Sequence, residues 1–305
     1  MRIVTYAELE DKEQLMPLMF HGHGWALDYR SLDERVKQDS RLRNGPVSFY
    51  ALDGQRLMGV AGIMTLPTRT LRGPELAGGI TFVVTHPQAT RRGVCTALFE
   101  SSHQWFRSQG YRFAFLTTGR SWHAYDLYRK LGYAEVETVN SYPTAYALME
   151  PAQPNPTTTA TQVDVGAVAR LFTEANAHRT GFSVRYDDLP QVLASRRRLD
   201  LAQSVLLDGG YALVMSHDGG LEVRELVARD SATQNALLDA LAAKGPRHVL
   251  DPRVPDPELA KGYERNGYRL FTGSHGVLMA KPLEAGVTLR DVYGDDFYIS
   301  PMEWF

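Results

Sequence analysis

Between Gly79 and Leu98 the sequence brings together the residue types needed to hold an anion. An apolar, β-type run (Ile80, Phe82, Val83, Val84) stops at His86-Pro87, and a short loop ends in Arg91-Arg92-Gly93 before a helical stretch opens at Val94. The first amides of a helix have no intrahelical acceptor and the helix dipole is positive there, so such a terminus attracts phosphate. Gly93 adds no side chain to keep a ligand away from the backbone. The chemistry expected is capture of a phosphorylated cofactor, mainly by main-chain N–H groups with two guanidinium groups beside them.

A strand, helix and strand must position this turn. The spacing predicts strands at Arg2–Tyr6, Ser48–Leu52, Leu57–Leu66, Ala77–Thr85, Arg112–Thr117 and Ala134–Leu148, and helices at Lys12–Phe20, near Leu32–Gln38, at Gly93–Ser108 and at Ala124–Leu131. Val94, Ala97, Leu98, Ser101 and Trp105 recur at three-to-four spacing, the signature of a buried helical stripe. Strands first and βαβ units later predict an α/β fold, a mixed sheet with helices on both faces.

The turn and its flanks resemble the acetyl-CoA motif of the GCN5-related N-acetyltransferase (GNAT) family: strand, V-x-P, then R/Q-x-x-G-x-G/A, then helix. Here the motif reads Thr85-His86-Pro87 and Thr90-Arg91-Arg92-Gly93-Val94-Cys95. Thr90 stands where the family has Arg or Gln, and Cys95 where it has Gly or Ala; neither change removes a main-chain donor. Ala124-Tyr125-Asp126-Leu127-Tyr128-Arg129-Lys130-Leu131-Gly132-Tyr133 is similar to the family's second element, A-x-x-L-Y-x-K-x-G-F/Y. The resemblance implies acetyl-CoA as co-substrate, anchored by Arg91, Arg92, Gly93, Val94, Cys95 and Thr96, with pantetheine along Val83, Val84 and Thr85. One free N–H of that strand would polarise the thioester carbonyl.

Tyr128 matches the tyrosine that many members place beside the CoA sulfur. Proton transfer from a phenol of pKa about 10 to a thiolate of pKa about 8.5 runs roughly 2 kcal/mol uphill, so Tyr128 is expected to act as a hydrogen-bond donor. Cys95 sits where a helix terminus can acidify a thiol, but direct amine attack needs no acyl-enzyme and a packing role is the expected one. An alkyl amine must lose a proton before it attacks. The aromatic end of the chain, Phe297 to Phe305, resembles the terminus of the mycobacterial enhanced-intracellular-survival acetyltransferases, in which the terminal carboxylate pairs with the second-motif tyrosine. By that resemblance the Phe305 carboxylate pairs with Tyr128 as the catalytic base. Those enzymes also carry a sterol-carrier-like domain for which this sequence has no room, and the alternative for the tail is simple packing. His123 and Glu303 are the reserve bases. His23 and Trp25, in the stretch Phe20–Trp25, together with Trp122, are the expected acceptor-binding residues.

The chain has 305 residues, enough for two domains, with 44% hydrophobic and 22% charged residues and a formal net charge of −2. That balance carries no nucleic-acid footprint, and no apolar run is long enough for a bilayer. The single cysteine leaves no disulfide framework and fits a reducing, cytoplasmic setting. No His/Cys spacing suggests a metal site.

The stretch 151–160, rich in Pro and Thr, reads as a linker, so the expected domains are 1–150, 161–283 and a tail, 284–305. Ser231–Leu241 lines up with Gln88–Leu98, and Tyr263-Glu264-Arg265-Asn266-Gly267-Tyr268 with Tyr128–Tyr133. The chain is therefore expected to be a tandem of two GNAT-like domains. In this alignment Gln234, Asn235 and Ala236 replace Arg91, Arg92 and Gly93, so the second copy is expected not to bind CoA. The expected activity is acetyl transfer to a small-molecule or peptide amine, in a protein that could form a homo-oligomer. The alternatives are a silent acyl-CoA sensor or interaction protein, and a tandem enzyme acting on an amino sugar or thiol metabolite.

Overall fold

The computed structural model describes residues 1–149, 163–185, 199–273 and 276–303. The expected linker and the terminal Phe305 lie outside them. Two compact units result: Met1–Glu135 with Leu278–Gly294, and Val136–Val277 with Asp295–Trp304.

The first unit is built on an antiparallel meander of β1 (Arg2–Thr5), β2 (Ser48–Asp53), β3 (Arg56–Thr70) and β4 (Gly73–Thr85), followed by β5 (Phe113–Gly119) parallel to β4. Helices α1 (Leu15–His23) and α2 (Tyr29–Gln38) cover one apolar cluster, in which Leu15, Leu18, Met19, Leu27 and Leu32 pack with Tyr50, Leu57, Val60 and Val84. A four-residue helix, α3 (Ser40–Arg43), precedes β2, and α4 (Val94–Ser108) buries Val94, Leu98, Phe99 and Phe106. Then come α5 (His123–Lys130) and the two-residue β6 (Ala134–Glu135).

The single strand expected at Ala134–Leu148 is not formed. It is interrupted by a helical turn at Glu137–Asn140, and its second half, Thr144–Leu148, joins the sheet of the second unit. The place beside β5 is taken by strand Gly276–Pro282, which belongs to the first unit from Leu278 onward and pairs antiparallel with β6. Each sheet thus contains a strand from the other half of the sequence, and the compact units are not the contiguous segments expected from the linker.

In the second unit the strand order is Arg269–Phe271, Thr144–Leu148, His248–Asp251, Gly220–Ala228, Gly210–His217, Val205–Leu207. Alternate residues of Gly210–His217 face opposite ways, as the two-residue period of a strand requires. Ala212 and Val214 enter one cluster with helix Ser231–Ala242. Tyr211 and Leu213 enter the other, with Phe172, Tyr298 and Met302. The mixed sheets flanked by helices are the α/β class expected. Among the described residues no helix is long and apolar enough to cross a membrane.

Candidate functional site

The parallel register of β4 with β5 covers Gly78 and Gly79 only, while β4 continues to Thr85. On its other side β4 is bulged: Val60 faces Val84 and Gly62 faces Thr81, so Ala61 stands opposite both Phe82 and Val83. Phe82 takes the left-handed region at φ 34°, a strained choice for an aromatic residue. A bulge re-aims a strand and ends its pairing. Val83, Val84 and Thr85 lie beyond the last β5 pair at Gly79, while Val84 and Thr85 stay paired with β3.

A one-turn 3₁₀ helix, Pro87–Ala89, leads from β4 into the turn, and Arg91 and Gly93 both have positive φ, 62° and 77°. Gly93 is the N-cap of α4, with no side-chain cap. The helical ladder opens with the Ala97 N–H donating to the Gly93 carbonyl at 3.0 Å. The amides of Val94, Cys95 and Thr96 precede that first bond. A Cβ placed on Gly93 would meet nothing within 4 Å. An uncapped terminus with open space before it fits a diphosphate. The Arg91 side chain is exposed, whereas Arg92 donates to Asp53 of β2 at 3.0 Å, both side chains about half exposed. Asp53, absent from the sequence reading, therefore competes with any phosphate for Arg92.

Tyr128 of α5 lies against the start of α4. Its ring stacks on Phe99 at 5.3 Å, and it is buried. Burial, followed by the proximity of Cys95, holds the Tyr128 phenol well above its ordinary pKa. Burial likewise pushes the Cys95 thiol up to about 11, the opposite of an acidified nucleophile. Around the same cluster His103 shares a hydrogen bond of 2.8 Å with the Tyr133 hydroxyl. Burial, then Lys281 and Arg107, pushes His103 down to about 3, so it stays neutral.

The acceptor residues fall in two places. His23 ends α1, Gly24 caps that helix, and the His23 and Trp25 rings lie 5.6 Å apart, with the Arg35 guanidinium 5.8 Å from Trp25. Gly22 sits so close to Val84 that a Cβ there would lie 2.5 Å from Cγ1, which brings the end of α1 beside the splayed half of β4. Trp122 is the N-cap of α5, exposed, with its ring folded over Gly119 at the end of β5. His123 opens α5. Glu303 is buried and its carboxylate accepts from Arg185 Nη1 at 2.6 Å. That pairing removes it as a reserve base.

In the second unit helix Ser231–Ala242 starts differently. The Asp230 carboxylate accepts from the Thr233 amide and hydroxyl, both at 2.8 Å, and caps the terminus. The residue equivalences also need correcting. Gly59 packs against Val94 and Leu98, and Gly210 packs in the same way against Thr233 and Leu237. Asp230, Ser231 and Ala232 thus stand where Arg91, Arg92 and Gly93 do, and Gln234–Ala236 lie within the helix. Tyr263, which matches Tyr128, donates to the buried Asp251 at 2.9 Å.

Residues 6–136 match the family model of an acetyltransferase (GNAT) domain. The whole chain is similar in fold to a GCN5-related N-acetyltransferase from Kribbella flavida (18% identity, 93% of this chain and 72% of that one, TM-score 0.68). It is also similar to Eis1 from Mycobacterium abscessus (17%, 92% and 73%, 0.62) and to a GCN5-related N-acetyltransferase from Anabaena variabilis (17%, 93% and 73%, 0.65). A search of curated proteins finds no match. The family model covers residues 6–136, under half of the chain, and for the chain as a whole the likeness to these N-acetyltransferase structures is one of fold.

Proposed function

We propose that the chain is an acetyl-CoA-dependent N-acetyltransferase whose first unit binds acetyl-CoA and whose acceptor is a primary amine that attacks the thioester directly. The observation that carries this reading is the uncapped start of α4 at the end of a bulged, diverging β4. The amides of Gly93, Val94, Cys95 and Thr96, with Arg91 and Arg92, hold the diphosphate. The backbone of Val83, Val84 and Thr85 orients the pantetheine arm, and one of its N–H groups polarises the thioester carbonyl.

His23, Trp25 and Trp122 frame the amine, with a cation–π contribution from the aromatic rings. The Tyr128 hydroxyl, kept neutral by burial, serves as a hydrogen-bond donor to the departing sulfur, and its raised pKa speaks against full proton transfer. The carboxylate of Phe305, by resemblance, takes the amine proton.

The test is acetyl transfer from acetyl-CoA to a panel of alkyl amines, amino sugars and peptide N-termini, followed by thiol release. Turnover with at least one amine is expected, with Tyr128→Phe lowering kcat by roughly 10- to 100-fold and leaving acetyl-CoA affinity within about twofold. Tight binding without transfer to any amine, indifferent to Tyr128→Phe, would favour an acyl-CoA sensor instead.

A further inference from the structure

A cavity of the first unit, of about 410 Å³, is lined by Gln14, Leu18, His21, Arg56, His86 and Gln88, with Pro17, Leu57 and Pro87 as apolar walls. Among the described residues its cationic and titratable groups are Arg56, His21 and His86, and no carboxylate lines it. The nearby Asp53 is turned to Arg92.

The hydrogen bonding of His86 contains a conflict. The Gln88 amide donates to His86 Nδ1 at 3.2 Å, so Nδ1 carries the lone pair. A neutral imidazole then has its proton on Nε2. Nε2 lies 3.3 Å from Arg56 Nη2, which has only protons to offer. Two donors therefore face each other among the residues that line the cavity. The other tautomer relieves Arg56 but sets Nδ1–H against the Gln88 N–H, and the imidazolium form makes both contacts repulsive. An oxyanion placed between Nε2 and Nη2 satisfies both donors at once. In keeping with this, His86 is held below its ordinary pKa, by burial first and then by Arg56 and His21.

We propose that this cavity is an oxyanion site for a phosphomonoester, with the phosphate bridging Arg56 and His86 and the organic part against Leu18, Leu57 and Pro87. The cavity has the size of a small-ligand site, well beyond a bare phosphate. Two sources share this chemistry: the 3′-phosphate of CoA, which rests on the function proposed above, and a separate phosphorylated molecule.

The experiment is a titration of the full chain with inorganic phosphate, read from the imidazole resonances of His86. Millimolar phosphate should shift them, and Arg56→Gln, a change at an exposed side chain, should weaken the half-saturation concentration roughly tenfold. Two further arms separate the sources. If CoA supplies the phosphate, CoA binds about tenfold more tightly than dephospho-CoA, Arg56→Gln removes the difference, and CoA blocks the phosphate response. If a separate ligand does, CoA and dephospho-CoA bind alike and the response persists in CoA-saturated protein. Absence of any His86 shift up to about 50 mM phosphate, or an identical curve in Arg56→Gln, overturns the proposal. Failure of CoA to bind at all would count against the acetyltransferase reading and leave the phosphate arm intact.

Discussion

The two units begin the same helix in opposite ways. In the first, the residue before α4 is Gly93, no side chain caps the terminus, and two arginines precede it. In the second, Asp230 folds its carboxylate over the first amides of helix Ser231–Ala242, in the place that an external anion would occupy. The same divergence recurs at the matched tyrosines. Tyr263 is tied to Asp251, whereas the Tyr128 hydroxyl makes no hydrogen bond among the described residues. One scaffold therefore carries an uncapped helix start in one unit and a capped one in the other. The difference lies in which unit satisfies its polar groups internally.

The interior of the second unit makes the point most strongly. Arg185 sits between Glu225 and Glu303, with its guanidinium 3.4 Å from the Phe172 ring centroid, and Tyr211 donates to Glu225 at 2.5 Å. All three charged side chains are nearly inaccessible. Removing the shared cation leaves two buried carboxylates without compensation, so Arg185→Met should destabilise the protein by about 3–5 kcal/mol. Denaturant unfolding checks this; a loss under about 1 kcal/mol would mean that water reaches the pair.

Asp251 is next. Burial pushes its carboxyl up to about 6 despite the Tyr263 hydrogen bond. A folded-state pKa above the unfolded value near 3.9 means that the native protein binds the proton more tightly. This contribution to stability is greatest below the unfolded pKa and is lost as pH rises from about 4 to about 6, by roughly 3 kcal/mol in all. Asp251→Asn should flatten that part of the stability–pH curve. An unchanged slope would place the titration elsewhere.

The smallest effect expected is at the cap. Asp230→Ala should cost about 1 kcal/mol in stability, a typical value for a lost N-cap. It should not create acetyl-CoA binding in the second unit, because Ser231 and Ala232 stand there in place of Arg92 and Gly93, and no arginine replaces Arg91. Acetyl-CoA titration of that variant sharpens the comparison: a second site appearing would mean that the carboxylate alone closes this copy.

Local features were legible in the sequence and non-local ones were not. The strand–turn–helix around Pro87, the helix at α4 and the tyrosine of α5 follow from residue types within a few positions of one another, and they formed close to the expected bounds. The place of Thr144–Leu148 did not, because strand pairing is decided across more than a hundred residues, and an apolar run carries no record of which sheet it joins. The correspondence of the two copies differs between sequence and structure for a related reason. Similar letters aligned Gln234–Ala236 with the arginine turn, but the close approach of Gly59 and Gly210 to their helices sets the true register. The bulge at Phe82 and the Asp53–Arg92 pair had no local signal. Glu303 carried the residue type of a base and its burial beside Arg185 assigned it to the core.

The measurement that bears most directly on the account is calorimetric titration of the chain with acetyl-CoA, beside Gly93→Asp. That substitution keeps a residue type tolerant of positive φ and puts a carboxylate at the open terminus. One site per chain in the parent and a loss of roughly 100-fold or more in affinity in the variant is the predicted result. Two sites per chain, or unchanged affinity in Gly93→Asp, would contradict it.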